Sequence, residues 1–229
     1  MHQNRYFVRL GRLLPTLLWP LLASSRASAA DSVTKVALDA PGLVAASAIQ
    51  GADTAWLMVS TALVLLMTLP GIALFYGGMV RRLNVINTMA SVVGIAAVVS
   101  VLWFALAYSL AFTPGGALGG FIGGLGRMGF SGMEYLGSTG QVAVSHIAQH
   151  VPESVFAMFQ LTFAIITCAL VVGALVERMH FGALLLFAGL WLLLVYAPIA
   201  HWVWEPGGWL VPQGALDFAG GAVVHINAG

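Results

Sequence analysis

Long apolar runs without a charged residue constrain this chain more than any other feature. Four of them are long enough to be complete spans, and they cover residues 54–80, 85–112, 154–176 and 181–203. About 20 consecutive apolar residues cross the ~30 Å hydrocarbon core of a bilayer as an α-helix. Charged residues make up only 7% of the 229, which excludes an ordinary cytosolic enzyme, a disordered chain and a nucleic-acid binder. The sequence therefore predicts an all-α, polytopic membrane helix bundle.

The connections between the runs predict how the helices cross the membrane. Runs one and two, and runs three and four, are separated by only a few residues, so each pair is expected to form an antiparallel hairpin. These hairpins carry Arg81, Arg82 and Arg178, and the positive-inside rule places them in the cytoplasm. Glu177 ends the third run, where the helix dipole disfavours a carboxylate, so it needs a partner. The glycine-rich segment 113–153 is then a long, flexible external loop.

Small and cyclic residues inside the runs predict irregular backbone and close helix contacts. Pro70 and Gly71 lie within the first run and predict a local kink. Helices in membranes approach each other closely at small residues, and Gly94, Gly173 and Gly189 are suited to such contacts.

The first 29 residues have the pattern of a secretory signal peptide. Arg5, Arg9 and Arg12 form a positive region, residues 13–23 are apolar, and residues 27–29 read Ala-Ser-Ala, a small-residue cleavage site. An uncleaved first membrane helix is the alternative, but the apolar core is much shorter than a span requires. We therefore expect a signal peptide at 1–29, an extracytoplasmic segment at 30–53 with its N-terminus outside, and a membrane domain at 54–229.

A fifth apolar stretch follows Asp217 and contains two polar residues, His225 and Asn227. Twelve helical residues, 218–229, span only about 18 Å, and a helix end inside hydrocarbon leaves carbonyls without partners. We expect a fragment whose fifth span continues, with an interfacial or re-entrant segment as the alternative.

Two ionisable residues in this stretch are candidate functional groups. Asp217 stands where the helix begins, so its carboxylate is expected to cap the backbone N–H groups and complement the helix dipole. His225 lies eight residues further on, at a depth where an ionisable group indicates a transport pathway or proton relay facing the bundle interior. A neutral imidazole hydrogen-bonded to a neighbouring helix is the alternative for His225.

Aromatic residues gather at the outer ends of spans three and four. Phe159 and Phe163 are one helical turn apart and share a face, which by itself is more typical of packing. Trp202 and Trp204 are placed either to anchor the helix at the interface or to present a cation–π face to a small ammonium-type ion.

Other motifs in the chain carry no predicted chemistry. His146, His150 and Glu153 have the spacing of metal ligands on a helix, but a solvated loop is the preferred interpretation. The G-x-G-x-x-G match at 124–129 lacks a preceding strand, and one cysteine, Cys168, cannot form an internal disulfide. We expect neither a metal nor another cofactor.

Three segments resemble the ammonium transporter (Amt/Mep/Rh) family. They are residues 70–78 (PGIALFYGG), 175–178 (LVER) and, most specifically, 217–229 (DFAGGAVVHINAG). The resemblance implies an eleven-helix fold of two inverted repeats, of which this chain supplies the first. It also implies a homotrimer with one pore per subunit and a cytoplasmic PII-type regulatory partner.

The resemblance further implies roles for individual residues. Trp204 and Phe159 would bind ammonium at an outer site, and Phe163 would be one of two gating phenylalanines. Asp217 would organise the outer end of the fifth helix, and His225 would be the first of two facing pore histidines. The second gating phenylalanine, an outer serine and the second histidine are expected beyond residue 229, so the fragment is expected to be inactive alone.

The expected function is transport of ammonium or ammonia across the inner or plasma membrane, and not enzyme catalysis. Ammonium would be recruited at the outer aromatic site and deprotonated, and ammonia would pass a hydrophobic pore containing His225. An ammonium-sensing receptor with the same fold and an electroneutral Rh-type gas channel are the alternatives. A membrane metalloenzyme using His146, His150 and Glu153 is a third. The expected partners are ammonium or ammonia and the lipid bilayer, with no nucleic acid.

Overall fold

A computed structural model describes residues 38–229 of the chain. The signal peptide predicted at residues 1–29 lies outside the described residues, as does the first part of segment 30–53. These boundaries stay predictions.

Four helices in the described part are long and apolar enough to cross a membrane: α1 (Gly51–Met79), α2 (Arg82–Phe112), α3 (Glu153–Leu175) and α4 (Phe181–Trp204). Each end falls within three residues of the corresponding end of a predicted run. Only a few residues join α1 to α2 and α3 to α4. The predicted helical bundle is therefore confirmed, including the short connections within each pair.

Three of the helices contain a π-helical turn, a local widening of the hydrogen-bonded spiral: Met67–Ile72 in α1, Trp103–Ala107 in α2 and Leu192–Tyr196 in α4. The turn in α1 includes Pro70, whose ring removes a backbone donor and clashes with the preceding turn. The turn in α4 comes just before Pro198. Irregular backbone was thus correctly predicted at Pro70, whereas α2 has no proline to signal its own π-helical turn.

The bundle is organised around α2, which packs against α1, α3 and α4. A short fifth helix, α5 (Gly221–Ile226), packs against α3 and the C-terminal part of α4. The most apolar window of α3 is 61% buried, compared with 17% for α1. Most of the apolar surface of α1 is therefore available to lipid or to another protein surface.

The largest buried side chains meet between α2, α3 and α4. The Trp103 indole N–H donates to the carbonyl of Ala157 on α3 at 3.0 Å. The rings of Tyr108, Phe112 and Tyr196 lie 5.8, 6.1 and 6.3 Å from the Trp103 ring. An indole N–H in an apolar core needs an acceptor, so this bond fixes how the ring sits between the helices.

The long loop between α2 and α3 is organised by a small antiparallel sheet. Strand β1 (Gly42–Ala45) pairs with β3 (Gln141–Val144), and β3 pairs in turn with β2 (Tyr135–Leu136), in the order β1-β3-β2. The prediction of a flexible loop was therefore wrong. The strand that orders the loop precedes α1 and lies far away in sequence, so no local pattern in the loop signals the pairing. We call this side of the bundle the sheet side.

Glycines allow close helix contact at all three predicted positions, and a Cβ atom on Gly189 would lie 3.0 Å from Cδ1 of Leu102. A Cβ atom on Gly94 would lie 2.9 Å from Cζ of Phe181, and one on Gly173 would lie 2.6 Å from Cε1 of Tyr76. The Tyr76 hydroxyl donates to the carbonyl of Leu170 at 2.8 Å. The ring cannot move away from Gly173 without straining or losing that bond, so a side chain at this position would destabilise the helix contact.

We predict that Gly173→Ala lowers the free energy of unfolding by roughly 1–3 kcal/mol, because the added methyl group displaces the Tyr76 ring. Gly182→Ala is the matched control, since no atom lies within 4 Å of a Cβ atom added there. It should be neutral or stabilising, by up to about 1 kcal/mol from helix propensity. Thermal unfolding in detergent micelles measures both variants, and similar midpoints would contradict the prediction.

Candidate functional site

The structure brings together three of the residues predicted from the sequence. Phe159 and Phe163 on α3 have ring centroids 5.0 Å apart with their planes at 80°. Phe163 meets Trp204, the last residue of α4, edge-on at 6.0 Å and 76°. Trp204 is stacked on Phe112 of α2 at 6.4 Å and 12°. We call Phe112, Phe159, Phe163 and Trp204 the aromatic cluster.

The aromatic cluster is suited to contact a small apolar or cationic ligand. Phe159, Phe163 and Trp204 are half-buried, whereas Phe112 is fully buried behind Trp204. The Phe112 ring lies nearly parallel to the indole, with the centroids 6.4 Å apart. An aromatic ring has a negative face and a positive edge, and an edge-to-face arrangement fixes which of them each ring presents to its surroundings. The cluster therefore presents oriented aromatic surfaces at the end of two helices.

Asp217 caps the N-terminal end of α5 with both carboxylate oxygens. Oδ1 accepts the backbone N–H groups of Gly220 and Gly221 at 2.6 and 2.8 Å, and Oδ2 accepts those of Ala222 and Val223 at 2.9 Å each. Burial raises the pKa of Asp217, but these four donors outweigh it and hold the pKa below its usual value. The cap predicted for Asp217 is thus present in the structure.

Asp217 also connects α5 to the aromatic cluster. The Trp204 indole N–H donates to the backbone carbonyl of Asp217 at 3.0 Å. Between Asp217 and α5 the chain turns at Gly220, where φ is +87° and a Cβ atom would lie 2.5 Å from Cγ2 of Val224. Only glycine fits this turn. The indole orientation and the start of α5 are therefore held by the same residue.

His225 lies on α5 and is exposed. Its neighbours Val223 and Val224 are buried, so they form the side of α5 that packs against the bundle. The sequence predicted that His225 faces the interior of a bundle. In the described part of the chain, no side chain covers it.

A buried ion pair that the sequence did not predict lies on the sheet side. The Arg127 guanidinium contacts both carboxylate oxygens of Glu153, with Nε–Oε1 at 3.0 Å and Nη2–Oε2 at 2.9 Å. The Tyr108 hydroxyl donates to Oε1 of Glu153 at 3.1 Å. The Glu153 side chain is fully buried and that of Arg127 is 15% exposed. This pair fastens the long loop to the beginning of α3.

A second buried pair joins the long loop to the end of α4. His146 Nε2 lies 2.8 Å from Oε1 of Glu205, and both side chains are only 3% exposed. The predicted solvated loop around His146, His150 and Glu153 was therefore wrong, because His146 and Glu153 are buried against partners elsewhere in the chain. Residues 38–229 contain no group of three His, Cys, Asp or Glu side chains arranged to hold a metal ion.

His201 is a further buried histidine that the sequence did not single out. It is fully buried in α4, with Nδ1 3.0 Å from the carbonyl of Ala111 and Nε2 2.7 Å from that of Gly119. A signal was present, because an ionisable residue within an apolar run is costly and indicates specific partners. Its ring connects α4 to the end of α2 and to the long loop.

The short connections carry a polar contact at the opposite ends of the helices. Oε1 of Glu177 accepts hydrogen bonds from Asn84 Nδ2 at 2.8 Å and from the backbone N–H of Arg81 at 3.2 Å. The Asn84 bond, followed by the Arg81 backbone bond, lowers the pKa of Glu177. The predicted need of Glu177 for a partner is met across the two hairpins.

The fold and the site define a multi-pass helical membrane protein with an oriented aromatic cluster at the ends of its helices. The chain belongs to the Ammonium Transporter Family, whose sequence profile matches residues 55–229. This family consists of transporters, in agreement with the expectation of a protein that is not an enzyme.

Individual relatives show how much of a family member this chain represents. It is 50% identical over 177 residues to a putative ammonium transporter of Methanothermobacter thermautotrophicus, covering 77% of this chain and 41% of the relative. It is 48% identical over 180 residues to an ammonium transporter of Bacillus subtilis, covering 79% and 42%. The crystal structure of Candida albicans Mep2 matches with a TM-score of 0.67 at 33% identity, over 80% of this chain and 38% of that one. The chain thus spans about two fifths of the length of the curated relatives it matches.

We predict that Asp217→Asn lowers the free energy of unfolding by about 1 kcal/mol at neutral pH, because an amide oxygen replaces a charged cap. The pKa of Asp217 is lowered in the folded protein, so this stabilisation is complete above the unfolded pKa of ~3.9. It is lost as the pH falls through the lower folded value. Asp39→Asn, at an exposed position, is the control. Equal pH profiles of unfolding for the two variants would show that Asp217 has no special role.

We predict that Arg127→Met destabilises the protein by roughly 3–5 kcal/mol, because it leaves the fully buried Glu153 carboxylate without its cation. The double variant Arg127→Met with Glu153→Met should recover part of the loss, since an apolar pair needs no charge compensation, while the buried Tyr108 hydroxyl loses its acceptor. Arg82→Met, at an exposed position, should change stability by less than about 0.5 kcal/mol. Unfolding midpoints in micelles measure the three variants. A double variant no more stable than Arg127→Met would contradict the prediction that the uncompensated Glu153 charge causes the loss.

Proposed function

We propose that this chain forms the first half of a pathway that moves ammonium nitrogen across a membrane. Ammonium is recruited at the aromatic cluster and gives a proton to water there. Ammonia continues along α5, and the proton crosses separately by way of the His225 ring. The observation that carries the proposal is the bond between the Trp204 indole and Asp217. It places the aromatic cluster directly beside the start of the helix that bears His225.

The aromatic cluster supplies the recruitment step. A cation over the face of a tryptophan gains about 0.5–2 kcal/mol, more as water is removed. Trp204 is half-buried, so a cation at its exposed surface keeps part of its hydration. The Asp217 carboxylate adds a negative charge nearby, although its oxygens already accept four backbone N–H groups. Trp204 and Phe159 are accordingly assigned to the outer binding site.

The apolar interior of the bundle explains why the proton must be left behind. Moving an ion such as ammonium into hydrocarbon-like surroundings costs several kcal/mol or more. The transfer free energy of neutral ammonia is far smaller. Phe163 stands edge-on to Trp204 and is assigned as the gate between the aromatic cluster and the pore. His225 is assigned to the pore, where its ring can exchange hydrogen bonds with ammonia and carry a proton.

The exposure of His225 indicates that the pathway needs a second surface. Transporters with inverted repeats place their pathway at the interface between the repeats. The chain supplies α1 to α5, and a second, inverted repeat would cover His225 and contribute the facing histidine. Alone, these residues are proposed to bind ammonium without transporting it.

The remaining features of the proposed protein follow from the helix ends and from the resemblance to the family. The sheet side faces outward and the Arg81–Glu177 contact lies in the cytoplasm, because arginines favour the cytoplasmic side. The protein is proposed to reside in the inner or plasma membrane with its N-terminus outside, after removal of a signal peptide. The exposed apolar surface of α1 is available for a homotrimer, and the cytoplasmic hairpins are available to a PII-type partner.

The test compares the chain alone with a fusion in a host lacking its own ammonium transporters. In the fusion, Gly229 is joined to the part of the Bacillus subtilis relative that follows its matched region. Radiolabelled methylammonium uptake is expected only from the fusion. Trp204→Ala should raise the half-saturation concentration about ten-fold by removing the cation–π face, whereas Trp56→Ala, on the exposed surface of α1, should leave it unchanged. A fusion that inserts into the membrane but takes up nothing would contradict the proposal.

His225 is tested separately in the same fusion by recording current during uptake. His225→Ala should abolish or sharply reduce the ammonium-induced current, since the proton path loses its titratable group. Unchanged current and uptake would remove His225 from the mechanism. Uptake without any current in the unmodified fusion would favour the electroneutral channel.

A further inference from the structure

We propose that His146 and Glu205 form a positioning pair that orients Trp204 at the outer ammonium site. This inference rests on the proposed function, because it concerns the geometry of the site assigned there. The pair is separate from the residues assigned to bind or conduct ammonium, and it acts through the end of α4.

The pair is placed to control the end of α4. Glu205 directly follows Trp204, and its backbone leaves the helix in an extended conformation with φ −78° and ψ 129°. Glu205 contacts His146 of the long loop, whereas the neighbouring Trp204 contacts Phe163 of the aromatic cluster. A bond that holds Glu205 therefore limits the rotation of the helix end that carries the indole.

The anchor on the other side belongs to a different part of the fold. His146 lies just after β3, in the long loop, and its carbonyl accepts a hydrogen bond from Gln149 Nε2 at 3.1 Å. Its ring reaches Glu205 at 2.8 Å across 59 positions of sequence. The contact thus connects the sheet to the end of α4. These two elements are far apart in the sequence, so no local interaction fixes their relative position.

Because the contact is buried, it favours one arrangement of the two side chains over others. Each side chain is only 3% exposed, so separating the two groups would leave a largely buried imidazole and a largely buried carboxylate without their bonded partners. Buried charged or polar pairs often add little net stability, and their best-attested role is to specify one arrangement among several. His201 and Trp202 already hold the last turn of α4 through hydrogen bonds to Ala111, Gly119 and Phe121. The His146–Glu205 pair adds a contact at the residue directly after Trp204.

The position of the Trp204 indole depends both on its side-chain contacts and on the backbone at the end of α4. The indole bonds to Asp217 and packs on Phe112 and Phe163. These partners belong to α2, α3 and the segment before α5, so the indole can keep them only if the end of α4 stays where it is. The positioning pair holds that end from the sheet side.

The test uses the full chain in lipid nanodiscs with tryptophan replaced by 5-fluorotryptophan. The chain has seven tryptophans, and Trp204→Phe assigns the Trp204 fluorine resonance. Glu205→Leu removes the bond while keeping a side chain of similar size. Glu205→Gln keeps an acceptor for His146 Nε2 and serves as the conservative rescue. The control is Glu134→Gln, which makes the same change from carboxylate to carboxamide at an exposed position of the same loop.

Without ammonium, Glu205→Leu should shift or broaden the Trp204 resonance and leave that of Trp191, in the middle of α4, unchanged. Glu205→Gln should restore most of the original signal, and Glu134→Gln should match the unmodified chain. In an ammonium titration followed by the same resonance, Glu205→Leu should raise the half-saturation concentration about ten-fold, as expected if the cation–π contact is misplaced.

An unchanged Trp204 resonance in folded Glu205→Leu would overturn the positioning role, as would equal shifts of all tryptophan resonances. If Glu205→Leu does not fold, His146→Leu combined with Glu205→Leu removes both polar groups and is read in the same way. If the unmodified chain gives no response to ammonium, the proposed function fails at this site. The resonance without ammonium still decides the positioning role, so the two failures are distinguishable.

Discussion

Hydrocarbon offers no water to a polar group, and the arrangement of this protein follows from that constraint. Hydroxyl groups inside the helices bond to carbonyls of the preceding turn, as those of Thr61, Thr68, Thr88, Ser91, Ser100 and Thr167 do. The indole of Trp103 reaches across to α3 for the same reason. Charged groups such as Glu153 and Glu177 are found at the helix ends, where Arg127 of the long loop and the hairpins supply partners.

The sheet side is therefore a polar layer placed over an apolar bundle, and the candidate site lies where the two meet. The Arg127–Glu153 pair fixes the loop to α3 and holds the Tyr108 hydroxyl. The ring of Tyr108 packs on Phe112 at 5.7 Å, and Phe112 stacks on Trp204. An unbroken series of contacts thus runs from the loop to the aromatic cluster. The position of the indole depends on this layer as much as on the helices.

Features that depend on neighbouring residues were predictable, and features that depend on distant ones were not. The spans were predicted within three residues because a long apolar run has few stable alternatives to a membrane helix. The cap at Asp217 follows from a carboxylate placed at the start of a helical stretch. His146 and Glu153 were expected in solvent, yet their partners lie 59 and 26 positions away. The burial of His201 likewise depends on carbonyls of Ala111 and Gly119.

By itself, the sequence determined the membrane class, the number and limits of the complete spans, the capping role of Asp217 and the resemblance to a transporter family. Those properties depend on hydrophobicity and spacing along a continuous stretch. Only the tertiary structure decided how the rings of Phe159, Phe163 and Trp204 meet, that β1 orders the long loop, and that Glu205 and His146 are paired. Such contacts join residues whose proximity is set by helix packing, and packing depends on the shapes of all the surfaces that meet.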